Sequence, residues 1–588
     1  MKEVWLFSFE CAGIVKVGGL GEAVYNIAKN LAKQGSNVTL FMPSHGIQSK
    51  PAIKEKLNLQ KVPFVARGRL TEKNLLPYKS AFRYEIGMFK AYLDGFNAVL
   101  FTGQNRASYG ILDDPMVYRT DHIDDKALLL AMGISGYVEN LKESRQLLPE
   151  IIHAHDYHAI PAAILAKQKT EISNGKPALV LTIHLLGGKK VSWTYLGENW
   201  CGIMNKIHPV YLNGRKIELS HRQLLRKARF RLEAFGAMEA DVLTSVSQSY
   251  LNDEVVKQVG SGCEGKTAFL WNGCDWDKDA MFNESMQKFG DDIKSTLGTS
   301  EIQRYDLRKY FLTKAIGNLK PEEPILDGER VKEIVEGFKY KPFIGKGKIR
   351  SFEDDGPMVL MTGRLGKQKG VNVLFKAIPR VLEQIPNAKF VFLFLPLEEE
   401  INLVKKSLKL ASEQPNSVRI ILGRAPSIYA LAHLASDIFV CPSEWEPFGI
   451  MALEAMATGN PVVATKVGGL QEIIIDTRDD LDSGTGVLIP KNDYKNLAEA
   501  ITSLLATEWV SEVLRKEGLV RPELLQKILT SISYDSLKEA VVAQPDFGFR
   551  LRENAVRRVE LAFRWDKTIE MTIQAYEKAR EISGYRSH

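Results

Sequence analysis

Residues 4–22 read VWLFSFECAGIVKVGGLGE. A strand-length apolar run, Val4–Phe9, leads into a glycine-rich turn that opens onto a helix-period segment, Glu22–Lys33, and a second strand-like run, Asn37–Met42, follows. Short continuous apolar runs alternating with helical segments are the pattern of a parallel sheet covered on both faces. Working outward, the pattern continues through Ile151–His155, Ala178–Ile183 and Val242–Ser245. It restarts at Met358–Thr362 and runs through Lys389–Leu395, Val418–Leu422, Ile438–Cys441 and Pro461–Ala464. A chain of 588 residues exceeds one compact core, so the expected class is α/β with two doubly wound, Rossmann-like domains.

The lysine-, glutamate- and aspartate-rich stretch Asp275–Arg350 reads as a connection with an inserted subdomain containing several short helices. Thr507–Phe547 reads as an irregular interruption, and the charged amphipathic stretch Arg552–Arg580 as one or two closing helices. The domains expected are 1–275, a connecting subdomain 276–350, a second Rossmann-like domain 351–560, and a closing segment 561–588.

Composition narrows the function classes. Hydrophobic residues at 45% with 25% charged fit a globular protein and exclude a disordered or fibrous chain. Five scattered cysteines without CxxC spacing argue against a disulfide framework or zinc site and suit a reducing cytoplasm. The first apolar run is too short for a signal core, and no segment approaches the length of a membrane span. The net charge of +7 is spread among 71 acids, so nucleic acid is a poorer partner than a phosphorylated small substrate.

Ligands of open α/β sheets bind at the carboxyl ends of strands, and the unusual residues lie there. In the first turn, Gly18 and Gly19 free backbone N–H groups to face a diphosphate at a helix N-terminus, with Lys16 adding a full charge; simple turn geometry is the alternative. His153-Ala-His155-Asp156-Tyr-His158 admits a metal, but no third ligand is evident. Asp156 can orient a hydroxyl, balance developing positive charge, or merely cap a helix. His184 ends the next strand. Arg364 and Lys369 can share one anion or form a solvated basic turn. Glu446 and Glu454, eight apart, would lie on one face of a single helix, one gripping a sugar and the other a ribose.

Taken together, Lys16-Val-Gly-Gly-Leu, His153-Ala-His-Asp-Tyr-His, Thr182-Ile-His, Asn272-Gly, Arg364-Leu with Gln368-Lys-Gly, Glu446 to Glu454, Val467-Gly-Gly-Leu and Arg564-Trp-Asp resemble the glycogen/starch synthase family of retaining glycosyltransferases. The motifs span most of the chain in order. The resemblance implies the GT-B fold: two facing Rossmann-like domains, an interdomain cleft, and a C-terminal helix crossing back to the first domain. It implies transfer of glucose from ADP-glucose or UDP-glucose to the non-reducing end of glycogen or another α-1,4-glucan. Lys16, Gly18, Gly19, Arg364 and Lys369 would meet the donor diphosphate. Asp156 and His184 would flank the transferred glucose, with Glu446 and the backbone of Phe448, Gly449 and Ile450 on its hydroxyls. Glu454 would hold the ribose, Asn272 would line the cleft, and Glu10 and Glu22 would face the acceptor. No metal or other cofactor is implied.

The sequence departs from the family pattern at three places. Phe394-Leu-Pro396-Leu-Glu398 replaces a glycine pair, and Gly423-Arg-Ala-Pro426 lacks a tyrosine that often stacks on adenine. Leu185-Leu-Gly-Gly-Lys-Lys190 follows His184 in a form closer to short archaeal synthases. Donor choice therefore stays open. The two insertions are candidates for contacts in a homo-oligomer. The rival readings are a retaining glucosyltransferase with a small acceptor, of sucrose-phosphate or trehalose synthase type, and a non-catalytic carbohydrate-binding regulator.

Overall fold

The computed structural model describes residues 3–584 apart from 71–81, 119–122, 145–146, 199, 327, 341 and 343–347. The chain divides into two units, Met1–Gly273 with Trp565–His588, and Cys274–Arg564.

In the first unit the strands are β1 (Glu3–Phe7), β2 (Asn37–Pro43), β3 (Gln60–Leu70), β4 (Phe82–Leu93), β5 (Phe96–Gly103), β6 (Ile151–His155), β7 (Ala178–Ile183), β8 (Ile207–Leu212), β9 (Arg215–Ser220), β10 (Val242–Ser245) and β11 (Thr267–Phe269). Nine of them form one sheet in the order β11-β10-β7-β6-β1-β2-β5-β4-β3. It is parallel from β11 to β5 and closes with the antiparallel pairs β5–β4 and β4–β3. Every residue of β1, β6, β7 and β10 is buried, which is why these strands read as unbroken apolar runs. The β8–β9 hairpin stands apart and turns at Asn213-Gly214, both at positive φ (53° and 74°), as a tight two-residue hairpin demands.

The second unit is built on β12 (Met358–Leu365), β13 (Lys389–Pro396), β14 (Val418–Leu422), β15 (Ile438–Cys441), β16 (Val462–Thr465) and β17 (Gly486–Ile489). All are parallel, in the order β14-β13-β12-β15-β16-β17. The order reverses once in each unit, beside β1 and β6 in the first and beside β12 and β15 in the second. At such a switch the two flanking crossovers leave in opposite directions and a crevice opens above the strand ends.

Two sequence expectations need correction. The stretch expected to be irregular from Thr507 begins inside a helix, Tyr494–Glu517, and two more follow, Pro522–Leu529 and Asp535–Ala543. The first is buried around much of its circumference, including Thr502, Ser503, Thr507, Glu508 and Ser511, so it carries no apolar stripe to betray it. In 276–350, which clusters with the second unit, the first helix is long rather than short, Lys278–Leu297.

The closing segment forms two helices, Phe547–Ala562 and Trp565–Ser583. The second belongs to the first unit, where Ile569, Ala575, Tyr576 and Ala579 join the core built around Val4, Leu6, Val24 and Leu40. All five cysteines are unpaired and buried. Among the described residues no helix is long and apolar enough to cross a membrane.

Candidate functional site

In the first unit the turn after β1 is organised by Glu10, whose buried carboxylate lies beneath it. Its Oε2 accepts the N–H groups of Val17 (2.6 Å) and Gly18 (2.8 Å), and its Oε1 accepts the Tyr118 hydroxyl (2.6 Å). A Cβ on Gly21 would fall 3.0 Å from that Oε2, so a glycine lets the helix start this close. The helix Gly19–Lys33 has Gly18 at its N-cap without a side-chain cap. Its first-turn N–H groups thus keep their donors and the positive end of the helix dipole. Nothing lies within 4 Å of where a Gly18 Cβ would project. Lys16 sits at the surface, ion-paired with Glu22 at 2.7 Å.

Asp156, after β6, has φ 61°, a backbone region that a non-glycine residue occupies only when its surroundings impose it. It does not cap the turn it begins. Instead Oδ1 reaches across to the end of β7 and accepts the N–H groups of His184 (2.6 Å) and Leu185 (3.2 Å). Burial pushes its pKa up to about 7; the two backbone bonds pull it down, and the charges of Glu10 and Glu233 add to the rise. His184 is driven down to about 3 by burial and is neutral at pH 7. Its Nε2 meets His155 Nδ1 at 3.0 Å. Both nitrogens of His153 are engaged, with the Tyr576 hydroxyl (2.9 Å) and Thr182 Oγ1 (2.6 Å), while His158 packs on the Phe9 ring at 4.3 Å. Asn272 is buried just beyond β11.

Among the described residues the one grouping whose ligand atoms converge, within 4.8 Å, is His208, His221 and Glu239. There the carboxylate already accepts from both imidazoles, at 2.8 and 2.6 Å.

In the second unit, Arg364 lies at the exposed end of β12. The turn after it buries Lys369, which forms an ion pair with Glu446 and lies 3.7 Å from Met451 Sδ. Gly370 (φ 65°) permits this, because a Cβ there would lie 1.8 Å from the Pro442 carbonyl oxygen. The Glu444 N–H donates to Gln368 O (2.8 Å), tying the β12 and β15 loops together, and within the β15 loop Ser443 Oγ donates to Glu446 Oε2 (3.3 Å). Phe448 is buried. Gly449 (φ 116°) is the uncapped N-cap of the helix Ile450–Ala457, leaving that N-terminus open beside Phe448 and Ile450. Glu454 accepts the Tyr429 hydroxyl at 3.2 Å.

The common-face expectation for Glu446 and Glu454 is corrected here. Only Glu454 is helical, since the helix begins at Ile450. Glu446 is placed by its loop and by Gly468, where a Cβ would lie 1.9 Å from the Glu446 carbonyl oxygen.

Four contributors escaped the sequence reading. Tyr118 holds Glu10, Ser443 holds Glu446, and Tyr429 reaches Glu454. Glu233 accepts the N–H groups of Gly187 (2.7 Å) and Gly188 (2.8 Å) after His184. Glu233 had a signal: an acid in the first turn of the apolar segment LEAFGAME, Leu232–Glu239. Tyr429 lies three residues beyond the segment Gly423–Pro426, in which a tyrosine was missing.

Residues 3–268 match the family described as starch synthase catalytic domain, and residues 346–519 match glycosyl transferases group 1. A glycogen synthase of Hydrogenobaculum sp. (strain Y04AAS1) is 25% identical over 501 residues, which cover 83% of this chain and 86% of that protein. The catalytic domain of starch synthase IV from Arabidopsis thaliana, solved with ADP and acarbose, superposes with a TM-score of 0.60 at 18% identity, covering 95% of this chain and 99% of that one. Sucrose-phosphate synthase from Thermosynechococcus elongatus gives 0.51 at 16% identity over 98% and 99% of the two chains. At these identities the two solved structures speak to the GT-B fold alone.

Proposed function

The chain belongs to the glycogen/starch synthase family of GT-B hexosyltransferases, and from that premise we propose the particular reaction and the residues that carry it. Glucose moves from ADP-glucose or UDP-glucose to the 4-hydroxyl at the non-reducing end of an α-1,4-glucan, with retention of the anomeric configuration. The buried Lys369–Glu446 pair at the β12/β15 switch supports this most. A lysine held there, beside an uncapped helix N-terminus, suits a departing diphosphate and the hydroxyls of its sugar.

As the anomeric bond breaks, the sugar gains positive charge and the diphosphate negative charge. Arg364 and Lys369 from the second unit, with Lys16, the Gly19 backbone and the Gly18 N–H, which leaves Glu10 to do so, from the first, take the anion. Lys16 exchanges Glu22 for phosphate as it does so. Glu446 and the backbone of Phe448, Gly449 and Ile450 hold the glucose hydroxyls, and Glu454 the ribose. Asp156, with its fixed Oδ1, and neutral His184 lie beside the sugar, Asn272 lines its site, and Glu22 and the Glu10-braced turn face the acceptor. A phosphate oxygen of the donor takes the proton from the incoming 4-hydroxyl as the new bond forms on the same face, so no covalent enzyme intermediate arises.

The cations and helix termini meet the diphosphate charge without a metal or other cofactor. Transfer should therefore persist in EDTA; loss restored by magnesium would assign that charge to a metal instead. The cytoplasm suits the five unpaired cysteines. The deciding assay supplies labelled ADP-glucose or UDP-glucose with and without glycogen. Label in ethanol-insoluble polymer is expected with at least one donor, and none with either would overturn the proposal. A stable glucosyl adduct on Glu446 or Asp156, seen by mass spectrometry, would refute the same-face mechanism alone.

A further inference from the structure

Two stretches that depart from the family pattern, 394–398 and 423–426, lie at the carboxyl ends of neighbouring strands of the second unit, β13 and β14. Residues of the connecting stretch dock on both. Glu323, buried, accepts the Ser427 N–H (3.1 Å) and the Ser427 hydroxyl in the first turn of the helix Pro426–Ala435. In return Glu398 accepts the Arg330 N–H (3.2 Å) in the first turn of the helix Glu329–Gly337. Neither helix has a side-chain cap at its own N-cap residue, so each side supplies the carboxylate that the other's helix start lacks.

Between these two anchors the backbones meet. Ile325 and Arg424 exchange both hydrogen bonds, at 2.8 and 2.9 Å. They are a directly opposed antiparallel pair, so their side chains leave on one face. Gly423 (φ 119°) allows the approach, because a Cβ there would lie 2.7 Å from the Ile325 carbonyl oxygen. Arg424 is exposed and Ile325 only half-buried, which leaves that shared face open.

The donor site proposed above leads to this place. Lys369 after β12 takes the diphosphate and Glu454 the ribose, and Glu454 accepts from Tyr429, about one turn into the helix Pro426–Ala435. The next group along the donor, the nucleobase, then meets the start of that helix, where Ile325 and Arg424 stand side by side. We infer that Ile325, with Arg424 across the bridge, forms the wall on which the donor's nucleobase rests, so that the connecting stretch takes part in choosing between a purine and a pyrimidine. The assignment rests on the donor reading and adds to it the residues of base choice. Ile325 offers the base an apolar contact, and Arg424 a planar cation that can stack on it.

Isothermal titration of the full chain with ADP, UDP and pyrophosphate tests this, because the third probe carries no base. I325A opens room beside the base and R424A removes the stacking cation. Each should shift the ratio of ADP to UDP affinity by about threefold or more and leave pyrophosphate binding unchanged. A variant that merely folded less well would lose all three ligands alike. An unchanged ratio in both variants, with the nucleotides still bound, would overturn this inference alone. A parent protein that binds neither nucleotide would overturn it together with the donor site.

Discussion

Lys369 and Glu446 neutralise one another out of water, so removing either strands a buried charge. K369A should lower turnover by about a hundredfold or more and destabilise the second unit by about 3–5 kcal/mol. The paired change K369M/E446Q separates the two effects: its melting temperature should recover while transfer stays lost. Near-normal turnover in K369A would remove Lys369 from the diphosphate. Asp156 makes a prediction of opposite sign for stability. It titrates near pH 7 when folded and near 4 when unfolded, so the unfolded chain gives up its proton first and the fold loses stability as pH rises from about 4 to about 7. D156N keeps an Oδ1 acceptor for His184 and Leu185 but cannot ionise. It should match the parent at pH 4, exceed it by about 4 kcal/mol at pH 8, and transfer glucose poorly at both; chemical denaturation at the two pH values reads the difference. Lys16, Lys369 and Glu446 were legible as charged residues at strand ends. Their partners were not, because Lys369 and Glu446 lie on different crossovers and meet only once the β12 and β15 loops pack together.

Among the elements, ten of the thirteen parallel strands were located to within three residues because burial on both faces writes them as continuous apolar runs; β5, β11 and β17 pair in parallel too and were passed over. β3 and β4 escaped because each is a mixture of exposed and buried positions and reads as neither a core strand nor a helix. The β8–β9 hairpin did carry a signal, Asn213-Gly214, that the search for βαβ units passed over. Glycines divide into two kinds by what surrounds them, and the division predicts two outcomes. At Gly468 (φ 45°) a Cβ would sit 1.9 Å from the Glu446 carbonyl oxygen, so G468A should cost about 2 kcal/mol or more and lower the melting temperature. At Gly18 the backbone is extended and the space open, so G18A should melt like the parent. If a diphosphate approaches that backbone, G18A should raise the apparent KM for the donor severalfold; an unchanged KM would detach Gly18 from the donor.

For the whole molecule, a two-domain α/β plan with a returning C-terminal helix was legible from the ordered motifs. The residues that seal that return were not, because Tyr576 and His153 are 423 positions apart and still hydrogen-bonded. Y576F should destabilise the first unit by about 1 kcal/mol. Ending the chain at Arg564 should abolish the first unit's calorimetric transition while the second unit's survives, since Ile569, Tyr576 and Ala579 leave the core with the helix. The same discontinuity governs how the protein is made. The first unit lacks its last helix until all of Cys274–Arg564 has been synthesised, a wait of roughly 15–60 s at ribosomal speeds. Throughout that interval the apolar groove for the helix is open on the nascent chain. The later-made unit can complete itself first, so the order of folding runs against the order of translation.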